Sequence, residues 1–284
     1  MTTCKLAIFT LFSTLLTAQT AYPCGTKDAN WSFSEVAAWE QICLTGQAVL
    51  NGASLRSPFL RQIITEAQYT VSTTVKGVSI DNATLLGDTD LSNLTFDGQL
   101  SMLNSKFTGY LKLNDSKFSR SLSFVGSEIP KGVEAEHLSL TGSLFLGKLK
   151  RTEPNHDVIT SSNSVTIGPV SAKSANITGA FNVYSAILTS FFDVHASHIG
   201  GDLSLMNVIG HEIIAYEATF DGQLDIVDAH LSRSQSRSPL LLDFFDPKIG
   251  RSLFLNRSVI EGSVGLVMVE VMHDVNLLGT LCTN

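Results

Sequence analysis

Large apolar residues recur along most of this chain with a period of eleven. In LNSKFTGYLKLNDSKFSRSLSFV, residues 103–125, the triplet SKF occurs at Ser105–Phe107 and again at Ser116–Phe118. Rows of eleven beginning at Thr74, Leu85, Phe96, Phe107, Phe118, Ile129 and Leu140 keep one register. The fifth place holds Val78, Thr89, Leu100, Leu111, Leu122, Val133 and Leu144. The seventh holds Ile80, Leu91, Met102, Leu113, Phe124, Ala135 and Leu146. The tenth is small or apolar, and glycine takes the third at Gly87, Gly98, Gly109 and Gly142. Rows resume at Thr166, Ile177, Leu188, Ile199, Ile209 and Phe220, and once more at Ile249, Ile260 and Val271. A register held this long is a true repeat.

Within a row, places three, five and seven alternate as along one strand, and places ten and one alternate as along another. Between them the alternation breaks, so the chain turns a corner. Each row supplies two sides, and two rows close a four-sided coil of ~22 residues. The sixteen rows predict an all-β fold, a parallel four-sided β-helix of about eight coils and ~38 Å. A helical reading fails, because glycines and β-branched residues at fixed places disfavour helix. The solenoid is expected over 71–284, with insertions at 151–165 and 232–248.

Ahead of it, 22–70 reads as a short helical cap. Ser32-Phe33-Ser34-Glu35 fits a capping box, and Phe33, Val36, Ala37, Trp39 and Ile42 follow helical spacing. Pro58 suits the first turn of a second helix. Residues 1–21 read as a secretory signal peptide: Lys5, an apolar run from Leu6 to Ala18, then small residues at Ala18 and Ala21. The run is short for a bilayer span. The chain is therefore expected to be exported, periplasmic or extracellular. Its charge of -7 becomes -8 without Lys5, and no basic run points to nucleic acid. In an oxidising compartment Cys24 and Cys43 are expected to pair, leaving Cys282 free.

Small-x-Leu/Phe units on successive sides of a square coil resemble the pentapeptide-repeat β-helix, here lengthened to five plus six. More narrowly, IGGDLSL at Ile199–Leu205 and WSFSEVAAWEQIC from Trp31 resemble a group of exported bacterial proteins, some labelled membrane-associated oxidoreductase. The resemblance covers most of 31–281 and implies the fold. It brings no catalytic motif: the chain has no nucleotide-binding glycine fingerprint after a strand and no haem or iron–sulfur cysteine pattern. It departs from the family at Arg120, Lys131 and Arg251, where glycine is usual.

Candidate chemistry is sparse. Taken every second row, one column reads Asp90, Lys112, Glu134, as in cross-strand pairing on a solvated face. Another reads Asn93, Asp115, His137, and its sister Asn82, Asn104, Gly126, as suits a corner. Asp193, His195, His198 and Asp202, then His211 and Glu212, cluster in sequence without sharing a face. Glu153, His156 and Asp157 read as a solvated loop rather than a cation site. Leu240, Leu241, Leu242, Phe244 and Phe245 either protrude as a contact surface or fold back as a wide turn. At the C-terminal end, VMHDVNLLGTL either forms an interface, most simply a homodimer with Cys282 at the contact, or folds over as a lid. No catalytic, cofactor or metal residue is assigned. The expected function is a non-enzymatic structural or protein-interaction module. The alternatives are a carbohydrate-active β-helix enzyme, which needs two carboxylates across a scissile bond, and a DNA mimic, against which export and the lack of a continuous acidic column argue.

Overall fold

The structure is a computed structural model that describes Cys24 and residues 27–148, 164–233 and 240–283. It is a parallel β-helix with three helices at its N-terminal end. On the first side, one inward residue per coil pairs with the next: Val78, Leu100, Leu122, Leu144, Phe181, Leu203, Leu224, Leu253 and Val275. The third and fourth sides are eight-stranded sheets, so the described residues hold eight full coils, as the row count implies. In two middle coils the first and second sides run together as single strands, Phe181–Leu188 and Leu203–Gly210.

Three features explain the repeat. The fifth, seventh and first places point into the core, which runs unbroken along the axis. Phe96 meets Phe118 edge-on at 6.5 Å, and Phe107 meets Phe124 at 6.1 Å. The tenth place is serine where an inward hydroxyl joins adjacent coils. Ser127 Oγ accepts from the Ser105 N–H at 3.0 Å and donates to the Met102 carbonyl at 2.8 Å, and Ser116 repeats the bridge to the Leu94 N–H and the Leu91 carbonyl. The ninth place is a left-handed corner, with φ of 54° at Asn82, 56° at Asn93 and 46° at Asn104. Asparagine and aspartate tolerate that conformation better than most residues. The third place is tight for a different reason: a Cβ on Gly109 would lie 2.4 Å from the Gly87 carbonyl carbon one coil below. At Arg120, Lys131 and Arg251 the third place faces solvent.

The cap extends past residue 70 and contains part of the solenoid. Helix α1 spans Phe33–Thr45, α2 Ser57–Thr65 and α3 Ala67–Lys76. Thr74, placed at the head of the first row, therefore lies in α3, and the first coil begins at Val78. Strands Gln47–Val49 and Ser54–Arg56, between α1 and α2, already form two sides of the stack, with Ala48 on Ile80 and Leu55 on Leu85. The helices close this end around Trp31, Trp39, Phe59 and Tyr69, with the Trp39 and Tyr69 rings 4.8 Å apart. Glu35 closes the capping box on Ser32 and also pairs with Arg56, which ties α1 to the first turn of solenoid. Cys24 and Cys43 form a disulfide with Cα atoms 5.7 Å apart. No helix among the described residues is long and apolar enough to cross a membrane.

Both insertions are shorter than expected. Val165 is already on the second side, in register with Ala186. Leu240–Phe245 forms the third side of its coil, paired in parallel with Ile213–Tyr216. Leu241, Leu242 and Phe244 are buried, so this stretch folds back into the wall, and only Phe245 of its large apolar residues stays exposed.

Three substitutions separate the core from the serine ladder. Phe107→Asp buries a charge and is expected to unfold the protein, whereas Lys106→Asp on the outer face leaves it folded. Ser127→Ala orphans a buried N–H and a buried carbonyl, and should lower stability by about 1–3 kcal/mol in denaturant titration. Thr89 occupies an inward fifth place with no partner for its buried hydroxyl. Thr89→Val is therefore expected to raise stability by about 1 kcal/mol in the same titration.

Candidate functional site

The charged column lies on the outer third side, with Asp90, Lys112 and Glu134 in direct register. Lys112 makes its ion pair with Asp88, at the preceding corner, at 2.7 Å. The Asp88 carboxyl is held below the usual range by hydrogen bonds from Lys112 and the Tyr110 N–H, and Asp90 by the Ser92 N–H. Lys112 is pushed up in turn, chiefly by its bond to Asp88. A general acid needs a carboxyl raised towards neutrality; these two move the other way. Arg61 of α2 donates to the carbonyls of Asp90 and Ser92, anchoring the cap to this side.

The corner columns form left-handed turns. Asn93, Asp115 and His137 all adopt left-handed backbone, and His137 Nδ1 lies 3.2 Å from Asp115 Oδ1. Asn82 and Asn104 share that geometry with Gly126, and Asn104 donates to Asp81 at 2.9 Å.

The histidines disperse. Asp193 and His195 are on the third side, where Asp193 accepts from the His195 N–H at 2.9 Å and faces Lys173 at 3.4 Å. His198 is on the fourth side, 3.1 Å from Asp221. Asp202 sits beyond the next corner and accepts from the Gln223 N–H at 2.8 Å. His211 donates to the Ser232 carbonyl at 2.9 Å. Among the described residues no three His, Cys, Asp or Glu side chains converge as a metal site. Glu153, His156 and Asp157 lie outside the described residues.

The sequence reading missed one grouping on the third side. Tyr216 donates its phenolic proton to Asp243, and its ring meets His195 at 5.7 Å and Phe245 at 6.3 Å, both edge-on. The phenol is pushed up to about 12, first by the hydrogen bond to Asp243, then by burial and by the charges of Asp243, Glu212 and Asp193. Tyr216 is thus a fixed donor at neutral pH, with its proton already committed.

The most distinctive surface is the C-terminal end. The last coil stacks in register: Val275 pairs with Leu253, and Leu281–Cys282 with Val259–Ile260. No lid folds over it among the described residues. Its inward residues are consequently open, Val275 at 54% exposure and Leu277 at 50%, with Leu266, Val267, Met272, Leu278 and Leu281 exposed around them. Cys282 is free and exposed on this face, in register with fully buried Ile260.

Comparison with family models, with curated proteins and with solved structures finds no match to this chain.

The carboxylates give a pH prediction. Asp28, Asp88 and Asp90 are lowered by their hydrogen bonds. Burial alone would raise Glu35, but the bonds from Arg56 and Ser32 outweigh it and leave it lowered. Groups lowered in the folded state stabilise it fully above their unfolded values, about 4, and that stability is lost as pH falls through their folded values. The thermal midpoint should be flat from pH 7 to about 5 and fall below about 4. Arg56→Ala, which leaves the buried Glu35 carboxylate only its bonds from the Ser32 and residue-56 N–H groups, should lower the thermal midpoint at neutral pH.

Proposed function

We propose that the protein is an exported, non-enzymatic β-solenoid, a structural or protein-interaction module of the cell envelope or extracellular space that works through its uncovered end. The observation that carries this reading is the apolar face of the last coil. Monomeric proteins seldom leave so contiguous an apolar patch in water unless it meets something. The sides support the same reading, since their ionisable residues are engaged in ladders, corners and ion pairs. The Cys24–Cys43 disulfide and the signal-like leader support export. The resemblance to exported pentapeptide-repeat-like proteins agrees with both.

The test has two arms. Purified mature protein is expected to leave pectins, alginates and peptidoglycan intact. Turnover that Asp90→Asn or Glu134→Gln abolishes would replace this reading with a carbohydrate-active enzyme. In the second arm, immobilised protein is incubated with extracts of its own cell envelope. Retention of a defined protein, lost on Leu277→Glu and kept in Lys106→Asp, supports an end-on module. Retention equal in both variants overturns the role of the end.

A further inference from the structure

We infer that the C-terminal end face docks a second copy of this chain, tail to tail about a two-fold axis perpendicular to the solenoid. The inference rests on the reading of that end as the working surface, and names its occupant. Three observations select a copy of the same chain.

The first is area. A coil of ~22 residues at ~3.3 Å per residue has sides of ~18 Å, so with its outward side chains the end face covers roughly 600–800 Å². Two such faces bury roughly 1,200–1,600 Å² together, within the range of a stable specific interface.

The second is complementarity. The face is carried by the inward residues Leu266, Val275, Leu277 and Cys282, and the two acids of the coil that bears them, Glu270 and Asp274, are exposed on its outer places. An apolar face nearly free of charge is complementary to itself. Its rim offers the strand edges Val275–Asn276 and Leu281–Cys282, each paired on only one side among the described residues. A two-fold related copy presents the same edges antiparallel, which is a sound pairing geometry.

The third is closure. Helices α1 to α3 lie across the opposite end around Trp39 and Tyr69, and Gln41 and Glu35 of α1 accept from the Val49 and Arg56 N–H groups of its two edge strands, so a head-to-tail stack meets helices rather than an open coil. Tail-to-tail pairing uses one face per chain and stops at two, as an isologous interface does. It also places the two Cys282 thiols within the contact.

Sedimentation of the mature protein under reducing conditions tests this. The expected result is a dimer at tens of micromolar that dissociates on dilution. Leu277→Glu and Val275→Glu should be monomers with unchanged circular dichroism. Leu278→Glu, at a position 76% exposed, is a second choice if either inward variant misfolds. In the dimer Cys282 should react with a maleimide at least tenfold more slowly than in the Leu277→Glu monomer. A strict monomer at these concentrations, with Cys282 equally reactive in both forms, overturns the second copy as occupant. If that monomer still retains an envelope protein in a Leu277-dependent way, only this inference has failed. If retention ignores Leu277, the end-on reading falls with it.

Discussion

Everything in this molecule depends on one constraint: a residue must sit above its equivalent in the coil below, because its backbone groups pair there. Parallel pairing leaves no freedom to slip. A shift of one residue would turn every inward side chain outward, and the serine bridges would lose both partners. The tenth-place serines make the constraint explicit. Ser116 and Ser127 stand in the core because their hydroxyls tie a coil to an N–H and a carbonyl of the coil below. A valine there would pack as well and bridge nothing. The same stacking explains the third-place glycines, which are needed where successive corners come too close for a Cβ.

A stack of this kind gains stability by nearest-neighbour contact alone, so its first coil needs help. The cap supplies it through polar as well as apolar bonds. Glu35 serves α1 and Arg56 at once, Arg61 reaches from α2 to the carbonyls of the first full coil, and Lys76 donates to the Leu44 carbonyl at the end of α1. The cap is therefore anchored to the end it covers.

The repeat was legible because every inward place in an uninterrupted row is constrained. The fold, the coil number, the inward residues, the asparagine corners and the disulfide could all be read from spacing or type. Two things could not. Gln47 pairs with Ser79 and Ser54 with Thr84, at separations no multiple of eleven predicts, because α2 and α3 intervene. So half a coil was hidden inside the cap. The Tyr216 grouping was hidden by the second interruption. In register, Asp193, Ile214 and Asp243 form one outer column and His195, Tyr216 and Phe245 the next. Without knowing where the third side resumes after Ser232, Asp243 cannot be placed beside Ile214. Polar outer places carry no such periodic demand, so little about the surface follows from the rows.

The second interruption leaves the outline of the stack unchanged. Third-side strands are two residues long from Thr89–Asp90 to Phe192–Asp193, then four at Ile213–Tyr216, six at Leu240–Phe245 and five at Ser263–Val267. The longer pairing adds no width. The inward fifth and seventh places and the left-handed corner fall at Thr89, Leu91 and Asn93 in the first coil, at Ile213, Ala215 and Glu217, at Leu242, Phe244 and Asp246, and at Val264, Leu266 and Met268 in the last. The wall resumes in register after the interruption because each inward residue must sit on its equivalent below, with one register shift between Leu240 and Leu242. Leu266 therefore stands over buried Phe244 as an ordinary seventh-place residue. It is exposed for the same reason as Val275 and Leu277: among the described residues no further coil lies on it.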